Sequence, residues 1–194
     1  MGNSDDVNKA VAAAKAAFAG YSQTGKADRL ALLKRLKEET EKRFEDMAQA
    51  MRMEMGAPIT MARDAHADAA IGHLNSFIEA LEALQERMDL SNGDVMLREA
   101  IGVCGLITPW NWPINQIALK VIPALATGCT CVLKPSEHTP VSAIVYAEII
   151  HSAGYPAGVF NLVNGDGPTV GSCLSRHRDI LSLIHISEPT RREG

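Results

Sequence analysis

From about residue 95 the chain alternates short β-branched runs with stretches of helical spacing, and that alternation leaves few folds open to it. Val95 to Leu97 and Ile101 to Ile107 read as strands. Pro113 suits a helix start, and the pattern Ala118, Ile122, Leu125 carries that helix to Gly128. Cys129 to Leu133 is again a compact apolar strand. Thr139-Pro140 opens a further helix that reaches Ala153, with Gly154 at its end. Val159 to Val163 is another strand, followed by Asn164-Gly165-Asp166-Gly167. Strands that are apolar almost throughout and separated by helices specify a parallel sheet with helices on its faces, an α/β fold.

The first half is helical instead. Ser4 is placed to cap a first helix, with Asp5 and Asp6 set against its dipole. Val7, Val11, Ala14 and Phe18 form its apolar stripe, and Gly20 and Gly25 end it. A long second helix is expected from Ala27 to about Met55, stopped by Gly56 and Pro58. A third should span roughly Ile59 to Met88 and bury Ile71, Leu74, Phe77, Ile78 and Leu81. Ser91-Asn92-Gly93-Asp94 then marks a turn. Met47, Met51, Met53 and Met55 fall on one helix and are read as core filling rather than a soft-metal site. The organisation expected is one domain over residues 1–180, helical to about 90 and α/β from 95.

Composition narrows the function. Apolar residues make up 46% of the 194 and the formal charge is −4, so no basic stripe is available to neutralise phosphates of a nucleic acid. No apolar run approaches a bilayer span, which argues against a membrane protein. Cys104, Cys129, Cys131 and Cys173 are too scattered for a disulfide scaffold or a zinc site and read as packed thiols. No metal site is expected, and reduced thiols point to the cytoplasm.

In a parallel α/β sheet ligands bind outside the carboxyl ends of the strands. Three strand exits carry polar groups. Asn111, between Trp110 and Trp112, can donate to a developing oxyanion or merely cap the next helix. Lys134 and Glu137 can hold ribose hydroxyls or form an exposed ion pair of little consequence. The glycines at 165, 167 and 171 free backbone N–H groups for a phosphate, yet their spacing misses the usual dinucleotide fingerprint.

Taken together, the strings Thr108-Pro109-Trp110-Asn111-Trp112-Pro113, Pro123-Ala124-Leu125-Ala126-Thr127-Gly128, Lys134-Pro135-Ser136-Glu137 and Gly154-Tyr155-Pro156-Ala157-Gly158-Val159-Phe160-Asn161 closely resemble the NAD(P)-dependent aldehyde dehydrogenase superfamily, in family order and spacing. Glu54-Met55-Gly56-Ala57-Pro58-Ile59 is similar to the family's helix junction. The resemblance covers about residues 5–180. It implies a Rossmann-like parallel sheet flanked by helices, here an incomplete cofactor-binding domain. It implies NAD as cofactor, with NADP also admitted because Lys134 stands near Glu137. It assigns Asn111 to the oxyanion hole, Ile107, Thr108, Pro109 and Trp110 to the nicotinamide side, Lys134, Ser136 and Glu137 to the adenosine ribose, and Gly167 to the adenine or its phosphate.

The resemblance also implies a nucleophilic cysteine and a general-base glutamate downstream of the last motif. None of the four cysteines is placed to substitute. The parent enzyme is expected to oxidise a small aldehyde to its acid as a homo-oligomer, while this chain alone is expected to be an inactive fragment. The alternative is a non-catalytic nucleotide-binding or interaction fragment. Residues 181–194 depart from the family pattern. They are expected to be an artefactual tail that packs poorly beside an unpaired sheet edge.

Overall fold

The computed structural model describes residues 1–185. Helix α1 (Ser4–Tyr21) is capped by Asn3 rather than Ser4. The Asn3 carboxamide oxygen accepts from Asp5 N at 2.8 Å and Asp6 N at 3.2 Å, and Asp6 Oδ2 accepts from Asn3 N at 3.0 Å. Ser4 could accept only from backbone one residue further on, whereas Asn3 and Asp6 satisfy each other's orphan donors in a capping box. Val7, Val11 and Ala14 are buried as expected, Phe18 is half-buried, and Gly20 lies inside the helix rather than ending it.

The long second helix is in fact two, α2 (Lys26–Lys42) and α3 (Phe44–Met55), broken at Arg43, where φ is −102° and ψ 18°. No glycine or proline marks the break. Its physical basis is tertiary: the Arg43 guanidinium bonds Asp46 on its own side and Glu148, at 3.0 Å, on a later helix. The bend lets α3 bury Met47, Ala48, Ala50 and Met51; of the four methionines expected in the core, Met55 is half-buried and Met53 is exposed, because it falls on the solvent face of α3. Gly56 ends α3 with φ 69°, the left-handed cap that a glycine takes without strain.

The expected third helix is also interrupted. α4 (Ile59–Met61) widens into a π-helical turn over Ala62–Ala67 and continues as α5 (Asp68–Ala83), stopping well short of Met88. Leu74 and Leu81 are buried, with Ile71, Phe77 and Ile78 half-buried. The residues beyond form β1 (Arg87–Asp89), which pairs antiparallel with β2 (Val95–Leu97) across the expected turn. The Asn92-Gly93 turn folds the two segments back on each other, so their backbone groups bond across the hairpin, Arg87 opposite Leu97 and Asp89 opposite Val95.

The α/β half follows the sequence closely. β3 (Val103–Ile107), α6 (Pro113–Ala126), β4 (Thr130–Lys134), α7 (Pro140–Ser152) and β5 (Phe160–Leu162) alternate, followed by a π turn at Gly167–Gly171, α8 (Ser172–Arg176) and β6 (Ile180–His185). The sheet is parallel in the order β5-β4-β3-β6. β6 corrects the expectation for 181–185: past a register shift that skips Leu181, Ser182–His185 pair with Cys104–Ile107 of β3, Gly105 opposite Leu183. The rest of the tail, 186–194, lies outside the described residues. Among the described residues the outer edge of β6 is unpaired, and Leu181 and Leu183 are exposed.

Two cores flank the sheet. Cys104, Leu106, Cys131 and Leu133 point into the larger, built with α6, α7 and the helices beyond them. Val103 and Val132 point the other way, against Val7, Val11 and Ala14 of α1. Strand alternation thus distributes one run of apolar residues over both faces. Glu54 at the end of α3 ties the helical layer down, its carboxylate accepting from Val141 N and, at 3.0 Å, from Ser142 N at the start of α7. Among the described residues no helix is long and apolar enough to cross a membrane.

α1 docks through a glycine. Gly158 has φ 85°, and a Cβ there would lie 2.7 Å from the Ala13 carbonyl oxygen. Gly20, within α1, has nothing within 4 Å of that position. Gly158→Ala is therefore expected to cost roughly 1–3 kcal/mol, whereas Gly20→Ala should add about 0.5–1 kcal/mol. Urea midpoints compared at equal slope check both; a neutral Gly158→Ala contradicts the close docking of α1.

Candidate functional site

Strand order reverses at β3, the first strand of the α/β half, which lies between β4 and β6. Such a reversal opens a crevice at the carboxyl ends of the strands. A cavity of about 560 Å³ occupies that position. The register that sets Ile107 opposite Lys134 ends β3 and β4 level with each other, and Thr108 N extends the ladder by donating to Lys134 O at 3.1 Å. The residues just past both strands therefore share one rim.

The cavity brings together Ile107, Thr108, Pro109, Lys134, Ser136, Glu137 and Gly167 of the residues expected from sequence. Lys134 is only 3% exposed, and its ammonium donates to Pro135 O at 2.7 Å and to Glu137 Oε2 at 3.3 Å. Glu137 itself is partly open to solvent. Its own backbone N–H, and then Lys134, hold its carboxyl below the usual range against the opposing effect of burial. Ser136 Oγ accepts from His138 N at 3.3 Å. Thr108 is buried, and its hydroxyl has no hydrogen-bond partner. Buried hydroxyls are rarely left so.

The other wall comes from the glycine turn. Asp166 caps it, accepting from Thr169 N at 2.7 Å, and that contact leads in lowering its carboxyl pKa. A Cβ on Gly171 would sit 3.6 Å from the Lys134 methylenes, so the turn lies directly on the lysine stem. Beyond it Ser172, Ser175 and Arg176 of α8 also line the cavity. These three were not anticipated; the only hint was that they follow a glycine-rich turn at helical spacing.

Asn111 and Trp110 stand outside the cavity lining, on the bend that joins β3 to α6. Asn111 is exposed and does not cap α6: the cap position belongs to Trp112, without a side-chain bond, and Pro113 supplies the first turn. The bland reading of Asn111 as a helix cap is thereby removed. Trp110 is 54% exposed, and Trp112 packs its ring 5.6 Å from that of His66. His66 sits in the π turn, buried, with Nδ1 unpartnered and its pKa lowered by burial. Nothing in a lone histidine of the sequence signalled this contact.

The cysteines are free; Cys104, Cys129 and Cys131 are buried and Cys173 is half-buried. Cys129 is pulled down to about 5, chiefly by the Cys104 thiol, with burial opposing and Thr127 assisting. At 4% exposure it reaches no ligand. Among the described residues no group of three or more His, Cys, Asp or Glu is placed to hold a metal ion.

The sequence profile described as "Aldehyde dehydrogenase family" matches residues 1–186. A 3-succinoylsemialdehyde-pyridine dehydrogenase from a Pseudomonas species is 47% identical over 192 residues, 98% of this chain and 40% of that relative. A crystal structure of an aldehyde dehydrogenase from Bartonella henselae superposes with a TM-score of 0.92 at 48% identity, covering 94% of this chain and 39% of that one. A mutant aldehyde dehydrogenase C from Pseudomonas syringae, solved with NAD+ and octanal, also reaches 0.92 at 48% identity, over 94% and 38%. The chain thus spans about two fifths of the length of these relatives. Profile, relatives and fold agree: this chain belongs to the aldehyde dehydrogenase family.

Proposed function

We propose that this chain provides the cofactor cleft of an enzyme that oxidises an aldehyde to a carboxylic acid with NAD, NADP being the alternative acceptor. The observation that carries the reading is the cavity at the level ends of β3 and β4. It gathers the expected nicotinamide-side residues Ile107, Thr108 and Pro109 with the expected ribose-side residues Lys134, Ser136 and Glu137. Relatives solved with NAD+ support it.

The residues present fit such a cofactor. The unpartnered Thr108 hydroxyl offers a hydrogen bond at the rim. The Gly171 turn lies within van der Waals reach of the Lys134 stem, which brings the opposite wall close. Glu137 is held ionised, so its carboxylate accepts from ribose hydroxyls, and Lys134 retains one of its three protons for a ribose oxygen. Gly167 lies against the adenine or its phosphate. Bound NAD supplies the hydride acceptor. Asn111, exposed and uncommitted, donates its amide N–H to the substrate oxygen on which negative charge develops. Trp110 closes the nicotinamide side beside it.

By this reading the whole enzyme is a cytoplasmic homo-oligomer acting on a small aldehyde, with no nucleic acid or membrane partner. The exposed apolar residues Val95 and Leu97 of β2 support a subunit contact, and the unpaired thiols support a reducing compartment. The nucleophilic cysteine and the base glutamate are not among these residues. Incubation of the 194-residue chain alone with NAD and octanal is therefore expected to yield no acid above background; turnover abolished by a thiol-alkylating reagent contradicts this.

Two substitutions test the cleft. Asn111→Ala in the whole enzyme is expected to lower kcat by about 10²–10³ with a smaller change in KM for NAD, read by steady-state kinetics. Glu137→Gln should weaken 5′-AMP binding by about tenfold, read from NMR shift changes of Thr108 and Gly167. An unchanged affinity removes Glu137 from the ribose site.

A further inference from the structure

Asn-Gly occurs twice in the chain, as Asn92-Gly93 and as Asn164-Gly165, and the dipeptides are chemically alike. In such a pair the glycine nitrogen can reach the carboxamide carbon of the asparagine, because no side chain shields it and its backbone turns freely. Attack there closes a five-membered imide and expels ammonia. The reaction requires the peptide between the two residues to rotate, so the fold decides whether it proceeds.

The two pairs sit in opposite surroundings. Asn92 and Gly93 form the tip of the β1–β2 hairpin, and both are exposed. Gly93 has φ 89°, and nothing lies within 4 Å of the position a Cβ would take. A single turn bond, Gly93 N to Leu90 O at 3.0 Å, holds its nitrogen. Asp94 N donates to Asn92 Oδ1 at 3.1 Å, an Asx turn. That N–H is aimed at the oxygen on which negative charge collects when Asn92 Cγ is attacked, so it favours the attack. Asn164 is clamped instead. Its carbonyl oxygen accepts from Gly2 N at 2.8 Å, and a Cβ on Gly2 would lie 2.7 Å from that oxygen. Gly165 is buried, and a Cβ there would run into Val170. The peptide between Asn164 and Gly165 has no room to rotate.

We infer that Asn92, and not Asn164, is a site of spontaneous deamidation in the folded protein. The Gly93 nitrogen attacks Asn92 Cγ, and a C–N bond forms as the Cγ–Nδ2 bond breaks. Nδ2 leaves as ammonia, carrying away the proton that Gly93 N gives up. Water then opens the imide at either of its two carbonyl carbons and leaves aspartate or isoaspartate. No atom changes oxidation state in the sequence. The product unsettles the hairpin. Asn92 Nδ2 donates to Asp94 Oδ2 at 2.6 Å, and deamidation turns that contact into two facing carboxylates. Among the described residues β1 and β2 pair with no other strand, and a lone two-stranded hairpin is marginal by itself.

The experiment is incubation of the 194-residue chain in mildly alkaline heavy-oxygen water, folded and in urea. Peptide mass spectrometry then locates each newly formed, labelled carboxylate. In the folded chain Asn92 is expected to gain label at least about tenfold faster than Asn164, which must wait for local opening. In urea the two rates should converge. Asn92→Gln, which closes an imide far more slowly, should remove the label from the hairpin peptide and leave Asn164 unaffected. Amide exchange at Leu90 and Arg98, whose N–H groups bond across the hairpin, should quicken in the deamidated fraction. Equal labelling of Asn92 and Asn164 in the folded chain overturns the inference, because the clamp on Asn164 then protects nothing. Label at neither residue in the folded chain, but at both in urea, also overturns it, since the hairpin tip then shields Asn92. A tenfold ratio that persists in urea traces the difference to neighbouring sequence and sinks the structural account. Unchanged exchange at Leu90 and Arg98 removes the loosening of the hairpin.

Discussion

The pairing of β3 with β4 is the interaction on which the rest of the site depends. Five Cα pairs run in unbroken register from Val103 opposite Thr130 to Ile107 opposite Lys134, and Thr108 N adds a bond beyond them. Parallel strands cannot be joined by a tight turn, so α6 must cross over between them, and both strands must leave the sheet at the same end. That requirement alone puts the Thr108–Trp112 bend and the Lys134–Glu137 segment side by side. A slip of one residue would turn Leu106 and Leu133 out of the larger core and carry Lys134 away from Pro135 and Glu137.

Electrostatics at that rim are local. The Lys134 ammonium is buried, yet it needs no distant counter-ion, because the two residues that answer it follow within three positions. Glu137 keeps its charge partly through its own backbone N–H and partly through that lysine. A self-contained pair of this kind leaves the shape of the cavity independent of what fills it. The opposite wall is built by the turn of Gly167–Gly171 and the short α8.

Much of this could be read from the chain. The alternation of apolar strands and helices past residue 95 reproduced every strand of the α/β half up to β5 within a residue or two, because buried parallel strands have little choice of composition. Ile107, Thr108, Lys134 and Glu137 were singled out by their place at strand exits and by the family resemblance, and they line one cavity. The rest was less legible. The strand at Arg87–Asp89 is local, paired with β2 across the turn that was read, but its helical spacing hid it. The break at Arg43 is held by Glu148 on a later helix, and local spacing carries no trace of it. β6 was missed for the same reason: Ser182 to His185 gain their strand conformation from β3, almost eighty residues earlier. The cavity face of α8 was not foreseen because nothing in Ser172, Ser175 or Arg176 distinguishes a pocket wall from a solvated helix.

The π turn over Ala62–Ala67 fixes how the two sides of the helical half face each other. A π turn is one residue more than an α-helix needs, accommodated by a wider hydrogen-bonded ring. Each residue advances an α-helix by roughly 100°, so the extra one rotates everything on one side of the turn against everything on the other. α5 packs on α6 while α3 packs against the turn itself, and His66 emerges from the bulge facing Trp112. Shortening the 62–67 segment by a single residue would heal the helix into a regular one and swing His66 away from the tryptophan. The bulge thus sets His66 against Trp112 and holds an aromatic neighbour one residue from Asn111.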